Sequence, residues 1–309
     1  MEKMKAYVRT SASTQEVELQ ELAIPKITEA EVLVEIQAFG VGMHDRYVVP
    51  PNATFPYVIG SEAAGVIIKM GSEVSGFGLG DRVILSSSFQ LKGGCWAQYA
   101  AVSCEMLVAM PHSISFIQGA AIPVAGKTAL ESLRTLDLKP GNTLFVAGAS
   151  GAIGTIVIQL AKNRGIRVIG SASSKNHPHL LLLGAEKAVD YSIAEWKDQI
   201  KQWMPEGVDA ALAIHRGTSK DSMDIVKTGG KVVTVSGDKV DSERETKVEQ
   251  MQHQLSIQEA VNMLIQDMVE KKLHLVIENV YSFEQALDAL EKTETGHARG
   301  KLVVSMEEA

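Results

Sequence analysis

The residues best placed to do chemistry lie in the run Leu144-Phe145-Val146-Ala147-Gly148-Ala149-Ser150-Gly151-Ala152-Ile153-Gly154, where an apolar strand-like stretch passes into a helix-like one through a glycine-rich turn. Glycine permits unusual dihedrals and close backbone approach to a ligand. Free N–H groups at a helix N-terminus, with the helix dipole behind them, favour an anion such as a pyrophosphate. In the register of the GxGxxG fingerprint the first position is Ala149, so the motif reads AxGxxG. Such a turn also serves packing alone. The strand before it, the helix after it and a second strand at 167–170 are the context a dinucleotide site needs. An NAD site places Asp or Glu about 20 residues beyond the turn, accepting from the ribose 2′-OH. This chain has Gly170-Ser171-Ala172-Ser173-Ser174-Lys175 there and no carboxylate. A cation and hydroxyls suit a 2′-phosphate, so NADPH is the expected cofactor. The plain alternative for Lys175 is a solvated surface lysine.

Positioning that turn requires regular elements on both sides of it. After residue 120, strands at 143–147, 167–170, 188–190, 208–214 and 231–235 alternate with helices at 151–163, 179–183, 195–203 and 220–227. Alternation of this kind needs crossover helices and predicts a parallel, doubly wound sheet. Before residue 120 the runs 6–8, 32–36, 63–70, 82–85 and 96–102 are strand-like, separated by Gly and Pro, and predict an antiparallel β region. Leu255, Ile257, Val261, Leu264, Ile265 and Met268 recur at helical spacing within 254–271. Residues 283–290 predict a helix N-capped by Ser282, and 301–305 a final strand. The charged, polar segment 238–254 reads as an exposed loop.

A chain of 309 residues has room for one or two cores, two being favoured. With 45% apolar and 22% charged residues it is an ordinary globular chain. Thirty Lys and Arg against 37 Asp and Glu leave a net charge of −7, so neither a nucleic acid nor a membrane surface is an expected partner. Cys95 and Cys104 fit no CxxC metal or redox pattern, which favours a reducing, cytoplasmic compartment. Met1-Glu2-Lys3-Met4-Lys5 leads into no apolar signal core. The uncharged stretches 106–126 and 140–161 match a bilayer in length. Pro111 and Pro123 interrupt one and Gly141, Gly148, Gly151 and Gly154 the other, so both read as buried soluble structure.

Gly60-Ser61-Glu62-Ala63-Ala64-Gly65-Val66, Gly71-Ser72-Glu73-Val74 and Gly80-Asp81-Arg82-Val83 resemble the medium-chain dehydrogenase/reductase superfamily. Ala121-Ile122-Pro123-Val124-Ala125-Gly126-Lys127-Thr128-Ala129, the motif at 149–154 with Gln159 and Lys162, Leu183-Gly184-Ala185, Val189-Asp190-Tyr191 and the closing Gly300-Lys301-Leu302-Val303-Val304 resemble its zinc-independent quinone oxidoreductase (ζ-crystallin-like) family. The similarity spans almost the whole chain. It implies an α/β fold: a Rossmann doubly wound parallel sheet over 121–277, plus a GroES-like β-barrel catalytic domain from 1–120 and 278–309. It also implies NADPH, with Ser173, Ser174, Lys175 and Tyr191 lining the adenosine phosphate. Ala149, Ser150, Gly151, Ala152, Ile153 and Gly154 would line the pyrophosphate, and Thr128, Ser236 and Gly237 the nicotinamide side. The loop around Lys175 is one residue shorter than usual in the family, so either Ser174 or Lys175 reaches the phosphate. Departures from the pattern are Gly151-Ala152 in place of a Gly-Gly pair, Gly42 in place of the frequent Asn, and Ala213-Ile214-His215-Arg216-Gly217 in place of Asp-Thr-Val-Gly-Gly. The natural acceptor therefore does not carry over.

The zinc-dependent branch supplies Cys in the loop that here holds Gly42, His where this chain has Ser61, and a four-Cys lobe where 84–93 has no Cys. His44, Glu62 and Cys95 are the imaginable substitutes. Their plain readings are a loop residue, an ion-pair or hydrogen-bond partner and a small buried residue, so no metal is expected. Without a Lewis acid an unactivated alkoxide is not stabilised. The acceptor must then be electrophilic by itself, as quinones and α,β-unsaturated carbonyls are. Tyr47 and Tyr57 lie on the loops expected to face it, and either phenol could donate a hydrogen bond or a proton; the alternative for each is packing or a structural hydrogen bond. Asp45 is expected to cap a short helix, and Lys127 to be solvated at a helix start. The expected activity is NADPH-dependent, zinc-independent reduction of a small quinone or enone or enal by hydride transfer. The alternatives are an NADPH-binding sensor or interaction protein with little turnover, and a zinc alcohol dehydrogenase. A homodimer is possible, although the strand that relatives pair across a dimer is missing from 238–254.

Overall fold

A computed structural model describes residues 2–307. The chain forms two compact units, one taking it through Val124 with Ser256–Gln266 and everything from Ile277 onward, the other comprising Ala125–Leu255 and Asp267–Val276.

In the first unit β1 (Lys3–Arg9) pairs antiparallel with β2 (Val17–Ala23) and with the short β4 (Tyr57–Val58). A second sheet is built on β3 (Glu31–Val41), which lies antiparallel to β5 (Glu62–Met70). Beyond β5 follow β6 (Arg82–Ser86) and β8 (Leu107–Ala109), while β7 (Tyr99–Ser103) pairs with β3. Alternation along β3 sends Val32, Val34 and Ile36 into the core, where Trp96 stacks on Phe39 at 5.0 Å between ring centroids. The buried Tyr7 hydroxyl donates to the Phe283 carbonyl oxygen at 2.8 Å, tying the first strand to the last segment of the chain. Helices α1 (Phe116–Ala121) and α2 (Pro123–Leu136) follow β8.

The second unit carries β9 (Thr143–Ala147), α3 (Ala152–Asn163), β10 (Arg167–Ser171), α4 (His177–Leu183), β11 (Lys187–Val189), α5 (Trp196–Trp203), β12 (Val208–Ala213), α6 (Ser219–Asp224), β13 (Val226–Thr234) and β14 (Lys247–Gln250). Its six strands are all parallel, in the order β11-β10-β9-β12-β13-β14. This is the doubly wound sheet that the alternation predicts, and its order reverses between β9 and β12. Every residue of β9 is buried, as suits a strand covered on both faces. The remaining elements are α7 (Ile257–Val269), β15 (Ile277–Ser282), α8 (Ala286–Glu294) and β16 (Lys301–Ser305). β16 returns antiparallel to β3 in the first unit, with β15 parallel on its other side.

Several elements differ from their sequence pattern. The expected loop 238–254 contains β14, an edge strand on β13 whose Lys247 and Glu249 suit a sheet edge. The helix expected over 220–227 stops at Asp224, because Val226 already pairs with Val208 in the sheet. β2, with the polar sequence VELQELA, pairs only with β1. Ser282 precedes a 3-10 turn, Phe283–Gln285, before α8 begins, and its N–H donates to Gln285 Oε1 at 3.3 Å. Among the described residues no helix is long and apolar enough to cross a membrane. The stretch 140–161 is accounted for by β9 and α3, and 106–126 by β8, α1 and the start of α2.

Candidate active site

In the second unit the sequence motif occupies the turn from β9 into α3. Gly148 has φ of +82°, and a Cβ there would lie 2.5 Å from the His215 ring, so the turn needs glycine at that point. A Cβ on Gly154 would sit 2.5 Å from the Gly148 carbonyl oxygen and 2.6 Å from Ala149 backbone, so only glycine lets the first turn of α3 come this close to the loop. Ala149, in the first fingerprint position, is buried and donates its N–H to the Ser171 carbonyl oxygen at 3.0 Å, holding the turn against β10. Gly151 is the N-cap of α3 and no side chain caps that end. The first-turn N–H groups of a helix have no intrahelical partner, and such groups favour an anion. The cradle therefore fits the pyrophosphate of a dinucleotide.

The other cofactor candidates are brought to the same edge, the carboxyl ends of the parallel strands. Ser173, Ser174 and Lys175 leave β10, Tyr191 follows β11, and Ser236 and Gly237 follow β13. Thr128 comes instead from α2. Lys175 and Tyr191 are exposed. Ser236 Oγ lies 3.2 Å from Thr234 Oγ1. The structure adds a carboxylate that the β10 loop itself lacks: Asp190, at the end of β11, accepts from both the N–H of Ser174, at 2.7 Å, and its hydroxyl. Its other oxygen accepts from the N–H and hydroxyl of Ser192 at 3.0 and 2.6 Å. Hydrogen bonds from Ser174 and then Ser192 hold this carboxyl well below the usual carboxylate range.

Lys127 is not simply solvated. Its ammonium lies 2.9 Å from Glu131, whose fully buried carboxylate also accepts from the N–H groups of Gln254 and Leu255 and lies 2.9 Å from His253 Nδ1. Burial works against the Glu131 charge, yet these partners hold its carboxyl below the ordinary value.

In the first unit Tyr47 lies in the turn after β3 and is 48% exposed, its N–H bonded to the His44 carbonyl oxygen at 2.7 Å. Tyr57 is buried and donates its hydroxyl to the Gln90 carbonyl oxygen at 2.7 Å; burial pushes that phenol up to about 12. Asp45 does not cap a helix. It turns inward, accepts the Gly42 N–H at 2.6 Å and is 3% exposed. Nearby, buried Glu62 pairs with Lys301 through one oxygen and accepts the Val124 N–H at 2.7 Å through the other. Burial, with the Glu62 charge adding to it, raises Asp45 to about 6 against the opposing pull of Lys301 and the Gly42 N–H. Burial likewise pushes the Cys95 thiol up, out of the range of a reactive thiolate. None of these charged contacts is visible as a motif, because Asp, Glu and Lys read as surface residues unless a partner brings them inside.

Residues 28–112 match the family model described as alcohol dehydrogenase GroES-like domain, and 183–304 the one described as zinc-binding dehydrogenase. The 2-methylene-furan-3-one reductase of Solanum lycopersicum is 32% identical over 319 residues, covering 97% of this chain and 79% of that one. The quinone oxidoreductase of Homo sapiens is 31% identical over 224 residues, covering 70% of this chain and 67% of that one. This chain is a member of the quinone oxidoreductase family of medium-chain dehydrogenases/reductases. Another relative in this family, the chloroplastic NADPH-dependent alkenal/one oxidoreductase of Arabidopsis thaliana, is 30% identical over 298 residues, covering 92% of this chain and 74% of that one. The solved quinone oxidoreductase of Coxiella burnetii superposes with a TM-score of 0.86 at 27% identity, covering 99% of this chain and 100% of that one. Members of the family are nicotinamide-dinucleotide-dependent dehydrogenases and reductases. Although one matching model is named for zinc, among the described residues no group of three or more His, Cys, Asp or Glu is arranged to hold a metal ion. Gly42 and Ser61 do not supply ligands of the kind zinc takes.

Proposed function

We propose that this family member is an NADPH-dependent, zinc-independent reductase of quinones or of α,β-unsaturated ketones and aldehydes. The observation that carries the reading is the uncapped α3 N-terminus, approached through Gly148 and Gly154, with Lys175 at the end of the adjoining strand. Bound NADPH supplies the hydride equivalent. The N–H groups of the α3 first turn, next to Gly151, hold the pyrophosphate, and Lys175 faces the 2′-phosphate, the Ser174 hydroxyl being engaged by Asp190. Ser236, Gly237 and Thr128 are assigned to the nicotinamide end.

On the acceptor side the exposed Tyr47 phenol donates to the oxygen that becomes anionic when hydride adds to a quinone or enone. The Tyr57 hydroxyl already donates to Gln90, which favours Tyr47 of the two phenols. Among the described residues no group of three or more His, Cys, Asp or Glu is arranged to hold a zinc ion that would polarise a simple carbonyl, which supports an acceptor whose reduced anion is delocalised. The free Cys95 and Cys104 support a reducing, cytoplasmic setting.

A steady-state screen of NADPH and NADH against 1,4-quinones, 2-alkenals and simple alcohols, with and without chelator, tests this. Loss of 340 nm absorbance with the first two classes, indifferent to chelator, is expected. Tight NADPH binding without turnover would point to a binding protein, and chelator-sensitive alcohol oxidation to a zinc enzyme.

A further inference from the structure

The dinucleotide rule places the adenosine ribose at the end of the second strand of the fold, here β10. The segment leaving β10 carries Ser174 and Lys175, and Asp190 directly follows Val189, the last residue of the adjacent strand β11. Asp190 is one hydrogen bond from this loop, because its Oδ2 accepts both the N–H and the hydroxyl of Ser174. Its Oδ1 is held by Ser192. With both oxygens engaged the carboxylate is fixed in place, and its four hydrogen bonds all favour the charged form. The Ser174 proton points to Asp190, so this hydroxyl turns lone pairs rather than a donor toward an incoming phosphate. Lys175 attracts a second phosphate while a fixed negative charge beside it opposes one.

We propose that Asp190 is a specificity-determining residue that limits how strongly the site prefers the phosphorylated over the unphosphorylated adenosine ribose. The proposal rests on the cofactor reading above and extends it by assigning the two sides of the discrimination to Lys175 and Asp190. Removing the charge while keeping the side-chain size is then expected to favour NADPH selectively. A residue that merely braced the loop would lose both cofactors together.

Dissociation constants for NADPH and NADH, measured by calorimetry without acceptor, separate these. Asp190→Asn is expected to raise the ratio of the NADH to the NADPH constant about 5-fold, the size of a screened charge contact near a surface. Asp190→Ser is expected to move it the same way and covers the case in which Asn disturbs the loop. Ser192→Ala, which keeps the charge, is expected to leave the ratio within about 2-fold on the same screened-contact scale. A ratio unchanged or lowered in both Asp190 variants, or raised as far by Ser192→Ala, overturns the proposal while leaving the cofactor reading intact. Failure of the unaltered protein to bind either cofactor overturns both.

Discussion

Replacing Asp45 by Asn isolates the cost of a buried charge. Asp45 is 3% exposed, and burial raises its carboxyl to about 6 despite Lys301 and the Gly42 N–H. Because the folded-state value lies above the unfolded one, the native protein binds this proton more tightly. Its contribution to stability is therefore complete below about pH 4 and is lost as pH rises through about 6. An elevation of about two pH units corresponds to about 3 kcal/mol. The substituted amide keeps a carbonyl oxygen for the Gly42 N–H and cannot ionise, and Lys301 retains Glu62 as its partner. The stability difference between variant and unaltered protein is thus expected to move in favour of the variant by about 3 kcal/mol between pH 4 and pH 8, whatever its offset at pH 4. Titrating groups that do not interact with Asp45 cancel in this difference. Urea unfolding followed by Trp96 fluorescence, with Trp196 and Trp203 changed to Phe in both proteins, reads the unit in which Asp45 lies. A difference that is the same at both pH values would refute the reasoning.

Gly154→Ala would place a methyl 2.5 Å from the Gly148 carbonyl oxygen, so the turn must open; calorimetry should show NADPH binding weakened about 10-fold or more, with a lowered Tm. Lys175→Ala is expected to weaken NADPH binding by about 1.5–3 kcal/mol, the size of a hydrogen bond to a charged group, and equal dissociation constants would remove that assignment. Tyr47→Phe should lower kcat for an enone about 10-fold or more and leave the NADPH dissociation constant alone; an unchanged kcat shows that the proton comes from elsewhere.

Elements with strong local signals are legible without the fold. The strand Thr143–Ala147 and the helix after it stand out because the apolar run 144–147, a glycine turn and a 3.6-residue periodicity follow one another within about 20 residues. β14 is not legible: Lys247-Val248-Glu249-Gln250 has one apolar residue and becomes a strand only because β13 offers an open edge. Tyr47 and Tyr57 look alike in sequence, and only the fold distinguishes them, leaving Tyr47 exposed and burying Tyr57 with its hydroxyl on the Gln90 carbonyl oxygen. The loop after β10 has no acid of its own, as its sequence shows, yet the fold supplies Asp190 from the next strand.

By itself, then, the sequence determined the alternating parallel sheet, the glycine cradle at the head of α3 and the family, since periodicity, turn chemistry and motif order are properties of neighbouring residues. Tertiary structure alone decided which charges share a space. Glu62 and Lys301 are far apart along the chain and meet because β16 returns to β3, and Glu131 is buried where the N–H groups of Gln254 and Leu255 reach it. No short-range pattern announces such pairs: a carboxylate tolerates burial only with a partner in place, and the partner is chosen by strand pairing between distant parts of the chain.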